Sequence, residues 1–121
     1  MNTKLNGDNA IRTINNEMYL TSAKILAINI SEKSQVLETS FLFNVCYPTD
    51  KLLRLTFTGV TEFALWHQDE SASLPYIVNY KLFKIENDRI YLCLDPYENE
   101  NIINEKDNAF IIAKDIILEY E

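Results

Sequence analysis

The chain has little glycine, cysteine and histidine, and each shortage excludes a class of site. Of its 121 residues, two are glycine, two are cysteine and one is histidine. The glycines stand far apart, at positions 7 and 59, so the sequence has neither a P-loop nor a dinucleotide-binding fingerprint. Cys46 and Cys93 are isolated in apolar segments, which argues against a zinc site or a disulfide framework. We expect both to be reduced, packed thiols, although a disulfide would form if they lay on paired strands.

Long apolar runs are also missing. No stretch reaches the roughly eighteen apolar residues of a membrane-spanning helix, and residues 1–8 are too polar for a secretion signal. We therefore expect a cytoplasmic protein that does not enter a membrane. Hydrophobic residues nevertheless make up 47% of the chain, far more than in disordered proteins. The length and composition predict one folded domain over residues 1–121.

The acidic residues are concentrated in one half of the chain. The formal net charge is −7, with six basic and five acidic side chains in residues 1–60 and five basic and thirteen acidic ones in residues 61–121. A field of this sign repels nucleic acid and anionic membranes and attracts basic surfaces. The charge pattern argues against direct nucleic-acid binding and favours a basic partner.

The hydrophobic pattern indicates a mainly β fold. Leu53, Leu55 and Phe57 alternate with polar residues, which is typical of a half-buried strand. Further segments rich in β-branched and aromatic residues extend the series. Strands are predicted over residues 22–31, 38–47, 51–58, 60–66, 76–85, 89–95 and 110–120. Their short connections predict an antiparallel meander of about six to seven strands that forms a sandwich or partial barrel, with an α+β arrangement as the alternative.

Three local signals refine this fold. Asp8 or Asn9 is expected to cap one short N-terminal helix whose apolar residues recur at three- and four-residue spacing. The sequence Glu-Asn-Asp at residues 86–88 predicts a tight hairpin turn, because asparagine and aspartate tolerate positive φ angles. Gly59 permits a bulge or a turn before the further strand at residues 60–66, and the Lys114-Asp115 pair suggests a bulge or a shift of face in the last strand.

The single histidine does not indicate a catalytic site. His67 stands near Asp69 and Glu70, and a carboxylate that orients an imidazole is one element of general-base chemistry. No nucleophile accompanies it in a recognisable motif, since Ser71 and Ser73 lie in ordinary loop sequence. We therefore expect no enzymatic activity.

An acidic stretch begins at Asp95 and ends at Asp107. It offers oxygen ligands, but it lacks the order of residues and the central glycine of an EF-hand loop. We predict no metal and no cofactor. Tyr97 follows a proline within this stretch, and aromatic side chains surrounded by carboxylates are typical of a surface that binds a basic protein, since aromatic anchors supply affinity and charges supply steering.

The predicted contacts with this basic partner fall into two groups. Trp66 and Tyr97 are the candidate anchors, with a core position as the alternative for Trp66. The candidate acidic contacts are Glu62, Asp69, Glu70, Asp95, Glu98, Glu100, Glu105 and Asp107. Reversing the charges of Glu98 and Glu100 is expected to weaken binding and to leave the melting temperature almost unchanged.

Three segments resemble those of a known family. They are Ser-Ala-Lys-Ile-Leu-Ala-Ile at residues 22–28, Phe-Thr-Gly-Val-Thr-Glu-Phe at 57–63 and Ile-Tyr-Leu-Cys-Leu-Asp-Pro-Tyr at 90–97. Their order resembles that of small all-β immunity proteins of bacterial polymorphic-toxin and contact-dependent growth inhibition systems, with Thr21-Ser22 where that group has a His-Asp pair. The resemblance implies a cytoplasmic protein that binds and blocks one cognate toxin, often a nuclease with a basic cleft.

Two other functional classes remain open at the level of the sequence. A small-ligand-binding β-barrel requires an enclosed polar cavity. A self-associating structural protein requires an open edge strand that pairs with a second copy. For the favoured inhibitor we expect a monomer or a weak homodimer.

Overall fold

The computed structural model describes residues 1–46, 49–65 and 76–121, and β-strands dominate them. The chain passes through β1 (Thr3–Asn6), α1 (Gly7–Asn16), β2 (Lys24–Lys33), β3 (Val36–Val45), β4 (Lys51–Ala64), β5 (Lys81–Lys84), a 3₁₀ turn (Glu86–Asp88), β6 (Ile90–Asp95) and β7 (Asn108–Tyr120). Every strand pairing is antiparallel. The predicted mainly β, antiparallel fold with one short N-terminal helix is confirmed.

The seven strands form one sheet with β7 near its centre. The order is β2-β3-β4-β7-β6-β5, with β1 also paired to β7. One side of β7 contacts β4, whereas the other side contacts β6 over its first half and β1 over its second. Leu118, for example, pairs with Leu5 on β1 and with Leu55 on β4. The sheet formed by these described strands is not closed into a barrel.

The main core covers one face of this sheet. Alternation along β3, β4 and β7 places Phe41, Leu55 and Leu118 in one cross-strand row, and all three are fully buried. Ala10 and Ile14 of α1 belong to the same cluster, because positions four apart share one face of a helix. The helix thus contributes its apolar stripe to the core.

The N-terminal segment differs from the prediction in two ways. β1 was not predicted, because Leu5 is the single apolar residue in its four-residue sequence. α1 begins at Gly7, after Asn6 as N-cap without a side-chain capping bond. The predicted cap at Asp8 or Asn9 is therefore wrong, since both residues lie inside the helix.

β4 is one long strand and not two. Gly59 has a φ of +65°, yet the strand continues through it to Ala64. A Cβ at this glycine would lie 3.0–3.1 Å from the side chain of Lys114, so the glycine permits a close cross-strand approach. The register shift follows between Val60 and Glu62. The predicted turn at Gly59 is wrong, whereas the bulge predicted as its alternative is present on β4. On β7 the side facing the main core changes at Lys114-Asp115, from Ile111 and Ala113 to Ile116 and Leu118, which agrees with the predicted shift of face.

The predicted hairpin turn is confirmed. Asn87 and Asp88 have φ angles of 61° and 58°, as that turn requires, and the amide of Ile85 donates to the carbonyl of Arg89 at 2.8 Å. The strand before the turn, β5, is shorter than the predicted range of residues 76–85. α1 has ten residues, and no helix in the described ranges is long and apolar enough to span a membrane.

Candidate functional site

A second apolar cluster lies on the opposite face of the sheet, under the acidic part of the chain. All residues of β6 from Ile90 to Leu94 are buried. Ile90, Leu92 and Leu94 belong to the main core, whereas Tyr91 and Cys93 belong to the second cluster. Because alternate residues of a strand point to opposite faces, β6 is covered on both sides.

Lys81 is a buried cation on this second face. It lies directly opposite Cys93 in the sheet, and its side chain is 1% exposed. Its ammonium group donates to Glu98, to both carboxylate oxygens of Asp107 at 3.1 Å each, and to the carbonyl of Ile102 at 2.9 Å. A buried ammonium group is tolerated only when paired and hydrogen-bonded, and here both conditions are met.

These partners all lie in the connection between β6 and β7, residues 96–107, which we call the acidic loop. Asp107 is its main attachment point. Besides Lys81, its carboxylate accepts hydrogen bonds from the hydroxyl of Tyr91 at 2.6 Å, the amide of Tyr97 at 2.9 Å and the amide of Asn104 at 3.1 Å. One buried carboxylate therefore ties both ends of the loop to the sheet.

Asn104 completes this internal bonding. Its side chain donates to Glu98 and accepts from the amide of Lys106 at 2.9 Å. The backbone carbonyl of Asn104 accepts a hydrogen bond from the backbone amide of Asp107 at 3.0 Å. The acidic loop, which contains neither helix nor strand, is thus held in one conformation by side chains.

The bonding also fixes the charge states of the cluster. Burial raises the pKa of Asp107, but hydrogen bonds from Tyr91, Tyr97, Asn104 and Lys81 outweigh it and the net pKa is lowered. Burial likewise lowers the pKa of Lys81, and its two carboxylate partners raise it overall. The hydrogen bond from Lys81 lowers the pKa of Glu98. At neutral pH the cluster therefore holds one ammonium group and two carboxylates.

We expect acid to weaken the fold through this cluster. The pKa values of Asp107 and Glu98 are lowered on folding, so their contribution to stability is complete above the unfolded values of about 4 and is lost as the pH falls through the folded values. Urea midpoints measured between pH 7 and pH 2.5 should decrease at the acid end. Asp107→Asn should flatten that decrease, whereas Asp115→Asn, at an exposed position, should leave it intact. If the urea midpoint of Asp107→Asn fell at low pH as much as that of the unmodified chain, this assignment would be contradicted.

The outer surface of the acidic loop combines apolar and acidic side chains. Tyr97 is 61% exposed, and Ile102 and Ile103 are 51% and 50% exposed. Glu100 and Glu105 are exposed beside them. The ammonium group of Lys106 lies 4.8 Å from the centroid of the Tyr97 ring, which restrains the ring without covering it.

The structure places the remaining predicted contacts as follows. Asp95 is exposed at the end of β6, where the acidic loop begins. Glu62 is exposed on β4 and pairs with Ile112, so it shares the face of the second cluster. Glu98 is partly exposed and also bonds Lys81. The predicted contacts Trp66, Asp69 and Glu70, together with His67, lie outside the described residues.

The prediction that Asp107 contacts a partner is wrong. Its carboxylate is 0% exposed and is bonded internally, so it supports the acidic loop from beneath. Both cysteines are free thiols. The predicted packed position is confirmed for Cys93, which is buried, and is wrong for Cys46, which is exposed.

Sequence reasoning missed Lys81. A charged residue between Tyr80 and Leu82 has the same appearance whether it points to solvent or into a buried cluster. Its burial depends on carboxylates that follow it by 17 and 26 residues. The one signal in the sequence was its position two residues before Phe83, which places both on one face of a strand.

The described ranges contain no group of three or more histidine, cysteine, aspartate or glutamate side chains arranged to hold a metal ion. Comparison of the chain with models of protein families, with curated proteins and with solved structures finds no match.

Proposed function

We propose that this chain is a non-enzymatic immunity protein that binds a bacterial toxin through the acidic loop and neutralises it. The observation that carries the proposal is the construction of that loop. Buried Lys81 and Asp107 hold it from beneath, while Tyr97 stands 61% exposed among carboxylates on its outer side. The acidic loop therefore has its aromatic anchor, Tyr97, and its carboxylates in position before a partner binds.

Preorganisation favours tight binding. A loop that is ordered only on association loses about 0.5–1.5 kcal/mol for each immobilised flexible side chain. In the acidic loop, Asn104, Glu98 and Asp107 already have internal partners, so less of this cost arises on binding. The exposed apolar residues of the loop gain from burial against a partner.

The charges favour a basic toxin, and a nuclease in particular. Such an enzyme binds phosphate groups in a basic cleft, and carboxylates of an inhibitor are attracted to the same cleft. Glu100 and Glu105 are exposed, which makes them accessible to such a cleft. A small-ligand-binding barrel is less well supported, because the sheet formed by the described strands stays open.

A pull-down from the source bacterium tests the proposal. The chain serves as bait at low and then at moderate salt, and the expected result is one basic protein at near-equal stoichiometry. That protein is then purified, and its nuclease activity is measured with increasing amounts of the chain. We expect full inhibition at one molar equivalent. Unchanged activity at that ratio would refute the proposal.

Reversing the charge of Glu100 should slow association with the toxin. Glu100 is exposed, so Glu100→Lys should reduce the association rate constant about three- to tenfold at low salt, with a smaller effect at high salt because screening removes steering. The melting temperature should stay unchanged. Stopped-flow mixing or surface plasmon resonance measures the rate constant.

Two variants serve as controls for this prediction. Glu32→Lys makes the same change of charge at an exposed residue of β2 and should associate at nearly the unmodified rate. Glu98→Lys differs from both, because Glu98 bonds Lys81, so its reversal should also lower the melting temperature. The expectation from the sequence that the melting temperature stays almost unchanged is therefore kept for Glu100 and revised for Glu98. Equal slowing by Glu32→Lys and Glu100→Lys would indicate an effect of net charge alone.

A further inference from the structure

The most exposed large apolar side chains of the described residues come from two separate parts of the chain. Among the described residues, five such side chains are at least half exposed. They are Val78 at 83%, Tyr76 at 64%, Tyr97 at 61%, Ile102 at 51% and Ile103 at 50%. Three belong to the acidic loop, and two belong to the segment that leads into β5.

That segment, residues 76–79, is fixed against the start of β2. The amide of Ile77 donates to the carbonyl of Ala23 at 2.8 Å, and the amide of Ser22 donates to the carbonyl of Ile77 at 2.7 Å. Ile77 is 1% exposed and belongs to the main core. Because neighbouring side chains of an extended backbone point in opposite directions, Tyr76 and Val78 are directed outward.

Asn79 joins this segment to the acidic loop. Its side-chain oxygen accepts from the amide of Tyr80 at 2.9 Å, which orients the amide group. Its side-chain nitrogen donates to Asn99. Two residues later, Lys81 bonds Glu98 and the carbonyl of Ile102. The segment and the acidic loop are therefore held side by side at two neighbouring points.

We infer that residues 76–79 and the acidic loop form one composite binding surface, in which Val78 is a second apolar anchor beside Tyr97. This inference rests on the proposed function and specifies the partner. The two anchors fit a protein with an apolar depression, and the exposed carboxylates of Glu100 and Glu105 fit a border of lysine and arginine around it. A second copy of this chain fits poorly, because it would place like charges against each other.

A matched pair of valine substitutions tests the inference. Val78→Ser removes the anchor. Val36→Ser makes the same change beside the β2–β3 turn, where Val36 is 47% exposed and pairs with Lys33, at the other end of β2 from the residues that hold segment 76–79. Both side chains are exposed, so both variants should fold with melting temperatures close to that of the unmodified chain. The probe is the purified basic protein recovered by the pull-down, and isothermal titration gives its Kd.

We expect Val78→Ser to weaken binding about tenfold, which corresponds to the burial of one valine side chain, while Val36→Ser leaves the Kd unchanged. Tyr97→Ser and Glu100→Lys are measured alongside. If these two weaken binding and Val78→Ser does not, the composite surface is refuted and the acidic loop alone is the interface. If no basic protein binds the unmodified chain, the proposed function fails together with this inference.

Discussion

Replacing Lys81 with methionine is expected to lower the free energy of unfolding by about 3–5 kcal/mol, the usual effect of removing one partner from a buried ion pair. Methionine keeps much of the length of the lysine side chain and removes its charge. The carboxylate of Asp107, 0% exposed, would lose its cation, and the carbonyl of Ile102 would lose a donor. The loss should be local as well as global, with faster hydrogen exchange in the acidic loop.

Urea denaturation at pH 7 measures this effect, and the same strand provides the control. The ammonium group of Lys84 lies 2.9 Å from a carboxylate oxygen of Asp8, but its side chain is 38% exposed. Lys84→Met should therefore cost less than about 1 kcal/mol. Adding Asp107→Asn to Lys81→Met should recover part of the lost stability, because the unpaired charge disappears. Equal losses in Lys81→Met and Lys84→Met would show that the buried cluster does not stabilise the fold.

Phe57→Ala is expected to cost about 3–5 kcal/mol by leaving a cavity in the main core. Phe57 is fully buried, and its ring meets that of Phe41 edge to face, with centroids 6.1 Å apart and an interplanar angle of 85°. Its neighbours across the sheet are Thr39 and Ile116, both buried. The paired strands on both sides limit how far this region can collapse around the missing ring.

Phe63→Ala is the matched control for this second prediction. Phe63 stands on the same strand but is 42% exposed, so its truncation should cost roughly 1 kcal/mol or less. Denaturant midpoints of the two variants give the comparison. Phe57→Ala should keep the Kd of the unmodified chain for the proposed basic partner under conditions where it remains folded, because the altered site lies on the opposite face from the acidic loop. A similar cost in both variants would contradict the described core.

The strands with clear alternation could be predicted from the sequence. In β4, Leu53 and Phe57 mark the buried face before any partner strand is known. The turn at Asn87 and Asp88 could be predicted as well, because its geometry depends on residues that tolerate a positive φ. In both cases the information is local.

β1 and the continuation of β4 could not be predicted in this way. The four residues of β1 contain one apolar side chain, Leu5, and they form a strand because the end of β7 offers them an edge. At Gly59, a residue that often ends a strand instead allows the side chain of Lys114 to approach closely. Both features depend on residues that are distant in the sequence.

The candidate site was predicted in outline only. The charge and composition of residues 95–107 indicated an exposed acidic loop, and Tyr97 was correctly expected to be exposed. No pattern distinguished Asp107, which is buried, from Glu105, which is exposed. The difference arises from Lys81 and Tyr91 on neighbouring strands. The roles of Trp66, Asp69 and Glu70 remain predictions.

The central position of β7 has a consequence for how the chain folds. Residues 117–120 pair with residues 3–6 at the other end of the described chain, and β7 also separates β4 from β6 in the sheet. On a translating ribosome, β2–β4 and β5–β6 all emerge before β7, the strand that joins these two groups into one sheet. Such non-local pairing is slow, on the order of milliseconds to seconds. We therefore expect the nascent chain to stay unfolded until residue 120 has left the exit tunnel, and a version truncated before residue 108 to fail to fold.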